Sequence, residues 1–489
     1  MFQKIKSFLF ENKNARQTIA KNTFWLFFGE ISSRLLRMII IIYAARVLGA
    51  GGWGVFSYAI TLAAFFTTFS DIGISAMLIR ESSKNPSMRS QYLSTSLFIK
   101  LFLIIISACL IIFISPSLTK IEQVKPLLPI IALILFFDGM REFGFSLNRS
   151  LEKMESEALI KTVTNFLIVG LGLIFLMYSK TVKSLAFSYT IGSGIGFLLT
   201  IWILRSHFKN LFSNFAKKLI WPIFSTAWPF ALMGVLGGIM INTDTIMLGW
   251  WRTAEEIGFY SVVQRIIQAL YLVPVLFSSS VFPSFSRLAN KDNEKFRTIL
   301  EKSIALVLLI GIPLIFGGVF LANEIITALF GNEYLPAATT FQILLLTILL
   351  EFPVIFIGNA IFAYNEQKKF IGFLTIGAIS NVVFNWLLIP RYGIAGSAVA
   401  TVIAQVFSMG FIWIKMKKIN DFKIFSNLVK IVIATIIMSL FVWILKNSGI
   451  NIFINIALSS LIYFGLLYIL KEPLLNELKL IFPSPKNND

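Results

Sequence analysis

A chain of 489 residues that is 57% hydrophobic and only 14% charged cannot cover its apolar surface in water, because soluble domains carry about 25% charged residues. The net charge of +19 comes from basic residues in short loops between apolar runs. That argues against a nucleic-acid-binding face and matches the charge bias of membrane loops. With one cysteine and one histidine, an internal disulfide and a Cys/His metal centre are both excluded.

Residues 1–21 mix Lys4, Lys6, Lys13 and Arg16 with Phe2, Ile5, Phe8 and Leu9. This suits a short amphipathic segment on the cytoplasmic membrane face, or a basic tail. Runs of about 20 mostly apolar residues, enough to span a bilayer, then predict helices at 22–46, 53–79, 91–114, 126–147, 159–179, 183–204, 221–250, 256–284, 302–322, 337–363, 370–389, 394–415, 424–446 and 450–470. The fourth carries charges, and the gap between the eleventh and twelfth is very short.

Loop charges support this map. Clusters such as Arg80, Lys84 and Arg89, then Arg205, Lys209, Lys217 and Lys218, then Lys415, Lys417 and Lys418 fall on one side with the termini. That side carries about 29 basic residues against about 8 on the other, so both ends are expected in the cytoplasm. A faint repeat links Leu48-Gly49 through Gly54 with Leu248-Gly249 through Gly258. It suggests a duplicated six-helix unit with two extra helices. The expected organisation is an N-lobe at 22–204, a cytoplasmic linker at 205–220, a C-lobe at 221–418, and a last pair of helices with a tail at 419–489.

Charges within spans are costly and usually face a cavity or a partner. Glu30, Arg34 and Arg37 share one helical face. At 1.5 Å per residue the two arginines lie about 18 and 22 Å above the start of the span. One reading is a Glu–Arg network locking the first span to the second, where Asp71 sits. The other is a cationic lining for an anionic substrate, since the arginine fork suits phosphate. Glu30 neutralises Arg34; Arg37 has no obvious local partner. Lys100 in the third span either snorkels or enters the same cavity. Asp138, Arg141 and Glu142 suggest a self-satisfied cluster.

In the second half, Asp244 and Arg265 match in depth and suit a salt bridge, or a gate. Glu351, beside Pro353, suits a proton or sodium site, or a neutral buried acid. Pro229, Pro274, Pro313 and Pro353 predict kinks. Gly192, Gly194 and Gly196 suit helix packing rather than a nucleotide loop, and no P-loop motif is present. Cys109 is expected to be a packing residue and His207 to be solvated.

Three segments carry a family resemblance. They are Ala45–Gly49 with Gly52–Tyr58 and Asp71-Ile72-Gly73; Thr243–Gly249 with Glu256–Ser261; and Tyr392–Thr401. In this order the pattern resembles the Wzx-type polysaccharide (O-antigen) flippases of the multidrug/oligosaccharidyl-lipid/polysaccharide exporter superfamily. The resemblance implies an all-α membrane protein of two six-helix lobes around a polar cavity, plus two trailing helices. It implies a transporter, with no catalytic step and no cofactor beyond H+ or Na+ coupling through Glu351, Glu30 or Asp71. The implied substrate is a polyprenyl-pyrophosphate-linked oligosaccharide, held by Arg34, Arg37 and Lys100 at the diphosphate and by Asn242, Gln264 and Gln268 at the sugar. Membrane lipid and other polysaccharide-assembly proteins are the implied partners of a monomer. A multidrug exporter and a peptidoglycan-precursor flippase share the architecture; a non-transporting scaffold would leave the buried arginines unexplained.

Overall fold

The computed structural model describes residues 9–424 and 428–475, and every regular element among them is helical. Residues 1–8 of the expected amphipathic segment and residues 476–489 of the expected tail lie outside the described residues. Asn14 caps the first helix by accepting from the Gln17 N–H at 2.9 Å. The Trp25 indole donates to the Leu9 carbonyl at 2.7 Å, folding the N-terminal end back onto that helix.

In chain order the helices are α1 (Ala15–Asp71), α2 (Ile74–Lys84), α3 (Arg89–Cys109), α4 (Leu128–Ser150), α5 (Met154–Tyr178), α6 (Val182–Leu204), α7 (Ile220–Trp251), α8 (Ala254–Leu270), α9 (Leu272–Leu288), α10 (Asn293–Phe320), α11 (Ala322–Phe330), α12 (Ala338–Leu345), α13 (Thr347–Ala363), α14 (Gln367–Lys417), α15 (Val429–Asn447) and α16 (Ile452–Ile469). Among the described residues, eleven helical segments are long and apolar enough to cross a membrane, and α12 with α13 makes a twelfth across a 41° bend. Two of them, α1 with α2 and α14, are 68 and 51 residues long, at least twice what a bilayer needs. Each breaks at a glycine of positive φ: Gly49 (φ 68°, ψ 176°) in α1 and Gly393 (φ 58°, ψ −136°) in α14. One span on either side of each break recovers the fourteen expected from hydropathy. The charged fourth span is α4, and the very short eleventh–twelfth gap is the single turn at Gly393.

The expected kinks divide into two kinds. Helix α8 stops at Leu270 and α9 begins at Leu272, a break just ahead of Pro274, where the ring clashes with the carbonyl four residues back. Pro229 and Pro313 lie inside α7 and α10 without a break in the helix. Cys109 does not pack as expected. It is exposed at the end of α3, among the exposed Phe102, Ile105, Ile106 and Phe113, a surface that suits lipid contact.

By compactness the chain divides into Met1–Gly258 and Phe259–Asp489. In the first unit, glycines set the helix spacing. A Cβ on Gly192 would come within 2.5 Å of Ile168, and Gly194 meets Phe137 at 3.3 Å, so these glycines do serve helix packing. The second half of α1 also packs against α7 along its length. Gly249 lies against the Tyr58 ring, Gly238 against Thr68, and Gly73 against the Ala227 carbonyl. At one end the contact is reciprocal: Gly54 abuts the Ala254 carbonyl and Gly258 abuts the Ala50 carbonyl, and Ala254 and Gly258 stand at one common offset from Ala50 and Gly54. Such mutual contact between matching positions is the mark of a two-fold relation, and it supports the duplication read faintly in the sequence.

Within the second unit, α15 and α16 pack on each other and α15 on α10. The outer faces of the pair show Ile433, Ile436, Leu440, Leu461 and Ile469, the pattern of helices bathed in lipid.

Candidate substrate site

The polar site of the first unit grows from one face of α1. Phe24, Phe28, Leu35 and Ile39 are exposed on one side of this helix, and the 3.6-residue period puts Glu30, Arg34 and Arg37 on the other. That side meets α5 closely, because Gly29 crosses at Ala158, where a Cβ would lie 2.9 Å from the Ala158 Cα. One and two turns beyond the crossing, α5 presents Lys161 and Asn165. Ser32 and Thr162 share a hydrogen bond at 2.9 Å beside them.

A ladder of charge results. Arg149 makes a two-pronged pair with Glu157, donating from Nε to Oε2 at 2.8 Å and from Nη2 to Oε1 at 2.5 Å. The Glu157 carboxylate, only 1% exposed, also holds Lys161 Nζ at 3.0 Å. Lys161 lies 3.8 Å from Glu30 Oε2, and Glu30 Oε1 accepts from Arg34 Nε at 2.8 Å. The ladder thus climbs from the start of α5 into the span formed by the first half of α1. Glu30 and Arg34 are 39% and 37% exposed, on the side of the span opposite its exposed apolar face.

Arg37 stands apart from the pairing. It is exposed, and its Nε donates to Asn165 Oδ1 at 2.7 Å. The Asn165 amide in turn donates to the Lys161 carbonyl at 2.7 Å, so the acceptor is fixed in place. Among the described residues no carboxylate pairs with Arg37. Among the described residues its two terminal nitrogens have no hydrogen-bond partner, while Nε is anchored. The missing local partner expected from sequence is a neutral asparagine on α5. The alternative expectation, a lock from the first span to Asp71, is not what forms: the ladder runs to α5.

Asp71 is engaged elsewhere. Its Oδ1 accepts from Lys100 Nζ at 2.6 Å and from Ser75 Oγ at 2.6 Å. Lys100 is only 2% exposed, so its ammonium neither snorkels nor opens to the cavity, as sequence had suggested, but serves as a buried counter-ion at the α1–α2 break. On α4, Arg141 Nη1 lies 2.7 Å from Asp138 Oδ1, an ion pair whose angle falls short of a hydrogen bond. Glu142, by contrast, is exposed and feels Lys161, Arg141 and Arg149. Both the Arg141 guanidinium and the Lys161 ammonium lie over the Phe145 ring, at 5.9 and 5.5 Å, which ties the α4 cluster to the ladder. The expected self-satisfied group is thus part of a larger one, in which five cations face four carboxylates.

The remaining candidates lie elsewhere in the chain. Asn242 and Asp244 are buried on α7, and the Asn242 amide donates to its own helix at Gly238, 2.8 Å away. Gln264, Arg265 and Gln268 belong to the second unit, on one stretch of α8, where Arg265 Nη1 donates to Gln268 Oε1 at 3.2 Å. Glu351 is half-buried on α13 with no ion pair among the described residues. Sequence reasoning named none of Arg149, Glu157, Lys161 and Asn165 as site residues. The available signal was Glu157 and Lys161 at i, i+4, the spacing of a helical ion pair, straddling the start of the fifth span.

Comparison with known proteins gives the chain a family and a fold. A family model described as polysaccharide biosynthesis protein matches residues 19–289, and one described as lipid II flippase MurJ matches residues 257–464. The Shigella flexneri protein named "Putative O-antigen transporter" is 23% identical, over 78% of this chain and 94% of its own. The Staphylococcus aureus capsular polysaccharide biosynthesis protein CapF is 23% identical, over 80% and 97%. Among solved structures, the lipid II flippase MurJ in an inward closed conformation superposes with a TM-score of 0.80 at 19% identity, covering 92% of this chain and all of the other. The fold is therefore that of the MurJ-like transporters.

Proposed function

We propose, from the premise that this chain belongs to the polysaccharide biosynthesis protein family, that it flips a polyprenyl-pyrophosphate-linked oligosaccharide across the cytoplasmic membrane for cell-surface polysaccharide assembly. It is a multi-pass membrane transporter of the Wzx type and not an enzyme, in keeping with relatives named for O-antigen transport and capsular polysaccharide biosynthesis and with its fold. The loop charges orient it with both termini in the cytoplasm. A lobe at 22–204 and a lobe at 221–418, joined by 205–220 and followed by 419–489, alternate access as a monomer.

The observation that carries the reading is Arg37. A guanidinium deep in a span, anchored at Nε by Asn165 and open at both terminal nitrogens, is shaped to grip a phosphate with two parallel hydrogen bonds. Around it the cations are nearly balanced by carboxylates. A diphosphate therefore enters by exchanging with Glu30 on Arg34 and Lys161, while Arg37 supplies the unmatched charge. Such exchange lets the substrate leave as well as bind, since an unbalanced cationic trap would hold it. The lipid tail stays in the bilayer against apolar helix faces. Coupling to H+ or Na+ falls to Glu351 or Glu30, with Asp71 a lesser candidate because Lys100 neutralises it.

A peptidoglycan-precursor flippase is the second reading, favoured by the match of residues 257–464 and the TM-score of 0.80. Both substrates carry a diphosphate, so Arg37 has the same role in either. A cation-exporting function would place a lone guanidinium against its own cargo. The test is a host whose surface glycan depends on this protein. Arg37→Ala should abolish surface glycan at wild-type membrane abundance. If glycan export is normal, the diphosphate role is wrong; if instead the chain restores only cell-wall growth to a host lacking its precursor flippase, the second reading holds.

A further inference from the structure

The segment between α6 and α7 is not a bare connection. Residues 205–219 run between two spans that end on the same side, so they are confined to the membrane surface. Their inner side is fastened to the protein: Ser94 Oγ donates to the Leu211 carbonyl, and the Ala216 N–H donates to Thr95 Oγ1 at 3.1 Å. Phe208, Leu211 and Ala216 pack on the core formed by Ile74, Met77, Leu93 and Leu97. Phe98 on α3 meets Phe212 and Phe215 at ring distances of 5.5 and 5.4 Å. The segment is therefore a strap with a fixed outer face.

That outer face joins two chemistries. Phe212 is 86% and Trp221 78% exposed, far more than a water-facing surface favours for such rings. Arg205, Lys209, Lys217 and Lys218 are all exposed beside them. Between Ala158 and Thr243 the sequence holds no acidic residue at all, so nothing on these elements answers the charge. On the inner side of the strap, burial and then Lys153 and Arg89 hold the His207 imidazole below the ordinary range. Aromatic rings set among exposed cations, fixed at the mouth of two spans, match a headgroup layer with a negative surface. A protein partner would have to bring its own acidic, ring-accepting face; the leaflet already supplies both.

We propose that the strap 205–219 is a binding site for anionic phospholipid of the cytoplasmic leaflet, distinct from the substrate site. Phosphates of the lipid headgroups sit against Arg205, Lys209, Lys217 and Lys218, while Phe212 and Trp221 enter the upper acyl region. The strap is thereby held at a fixed depth, which sets the height of α6 and α7 in the bilayer.

The test uses the full chain in vesicles of phosphatidylcholine containing spin-labelled phosphatidylglycerol or spin-labelled phosphatidylcholine. Wild type should immobilise the anionic label about fivefold or more in preference to the neutral one, a preference that falls as salt rises. The combined variant Arg205→Gln, Lys209→Gln, Lys217→Gln, Lys218→Gln should lose most of it. A control variant, Lys415→Gln, Lys417→Gln, Lys418→Gln, removes basic charge at another loop and should keep it. Equal loss in both variants would overturn the proposal, since the preference would then be a property of net charge. If inorganic pyrophosphate displaces the anionic label at concentrations where sulfate does not, the strap is a port for the substrate's diphosphate, and the proposal fails. In cleaved, untagged protein the single histidine gives a second readout. Anionic lipid should raise the titration midpoint of His207 in the wild type, and an unchanged midpoint counts against the site.

Discussion

Glu157 is the residue on which the first unit's charges converge. Its buried carboxylate holds both Arg149 and Lys161, so Glu157→Ala leaves two cations without their acid. Removing one partner of a buried pair costs about 3 kcal/mol or more. The expected outcome is a clear fall in the detergent melting temperature, larger than for Glu122→Ala, whose pair with Lys125 is exposed. Asn165 acts differently. Asn165→Ala leaves Arg37 charged but frees its stem, so substrate affinity should drop several-fold while stability changes little. A binding titration alongside a melt separates the two. The acidic and basic residues of the first span were legible in the sequence because charge in an apolar run is conspicuous. Their partners were not: which helix lies against α1 depends on the crossing at Gly29 and Ala158, a contact 129 positions apart in the chain, and no local pattern announces it.

At the scale of elements, two glycines make the long helices turn back. Gly49 and Gly393 adopt φ of 68° and 58° with extended ψ, a region essentially closed to other residues at about 1–3 kcal/mol. Gly49→Ala should therefore destabilise the protein by about that amount, whereas Gly51→Ala, two residues on and in open space, should be near neutral. Comparing the two melting curves isolates the backbone effect from the loss of a glycine as such. Hydropathy located both turns to within a few residues, because the apolar runs on either side were each of spanning length. It did not reveal that the turns are single-residue breaks, since polar spacer residues are what usually announce a loop and here there are almost none. The broken helix at Leu346 was missed for a related reason: α12 and α13 are both apolar, and a 41° bend leaves no mark in composition.

At the scale of the molecule, fourteen spans and a family with a protein named as an O-antigen transporter among the relatives support a transport role. The packing of α1 on α7 gives the proposed alternation of access a place to be tested. A Cβ built on Gly238 lies 3.4 Å from the Thr68 Cβ, close to the separation a disulfide requires. In a Cys109→Ser background, the pair Thr68→Cys, Gly238→Cys should oxidise readily and stop flipping, and reductant should restore it; normal flipping in the oxidised protein would show that these spans never part.

The central claim is that the open guanidinium of Arg37 grips the substrate's diphosphate. The most direct measurement is flipping of a polyprenyl-pyrophosphate-linked oligosaccharide in proteoliposomes containing wild type, Arg37→Lys or Arg37→Ala, with matched insertion and melting temperature. Loss of charge-assisted hydrogen bonds is worth about 1.5–3 kcal/mol, so Arg37→Ala should flip at least tenfold more slowly at subsaturating substrate. Arg37→Lys, which keeps the charge without the fork, should fall between. Equal rates for all three proteins would contradict the claim.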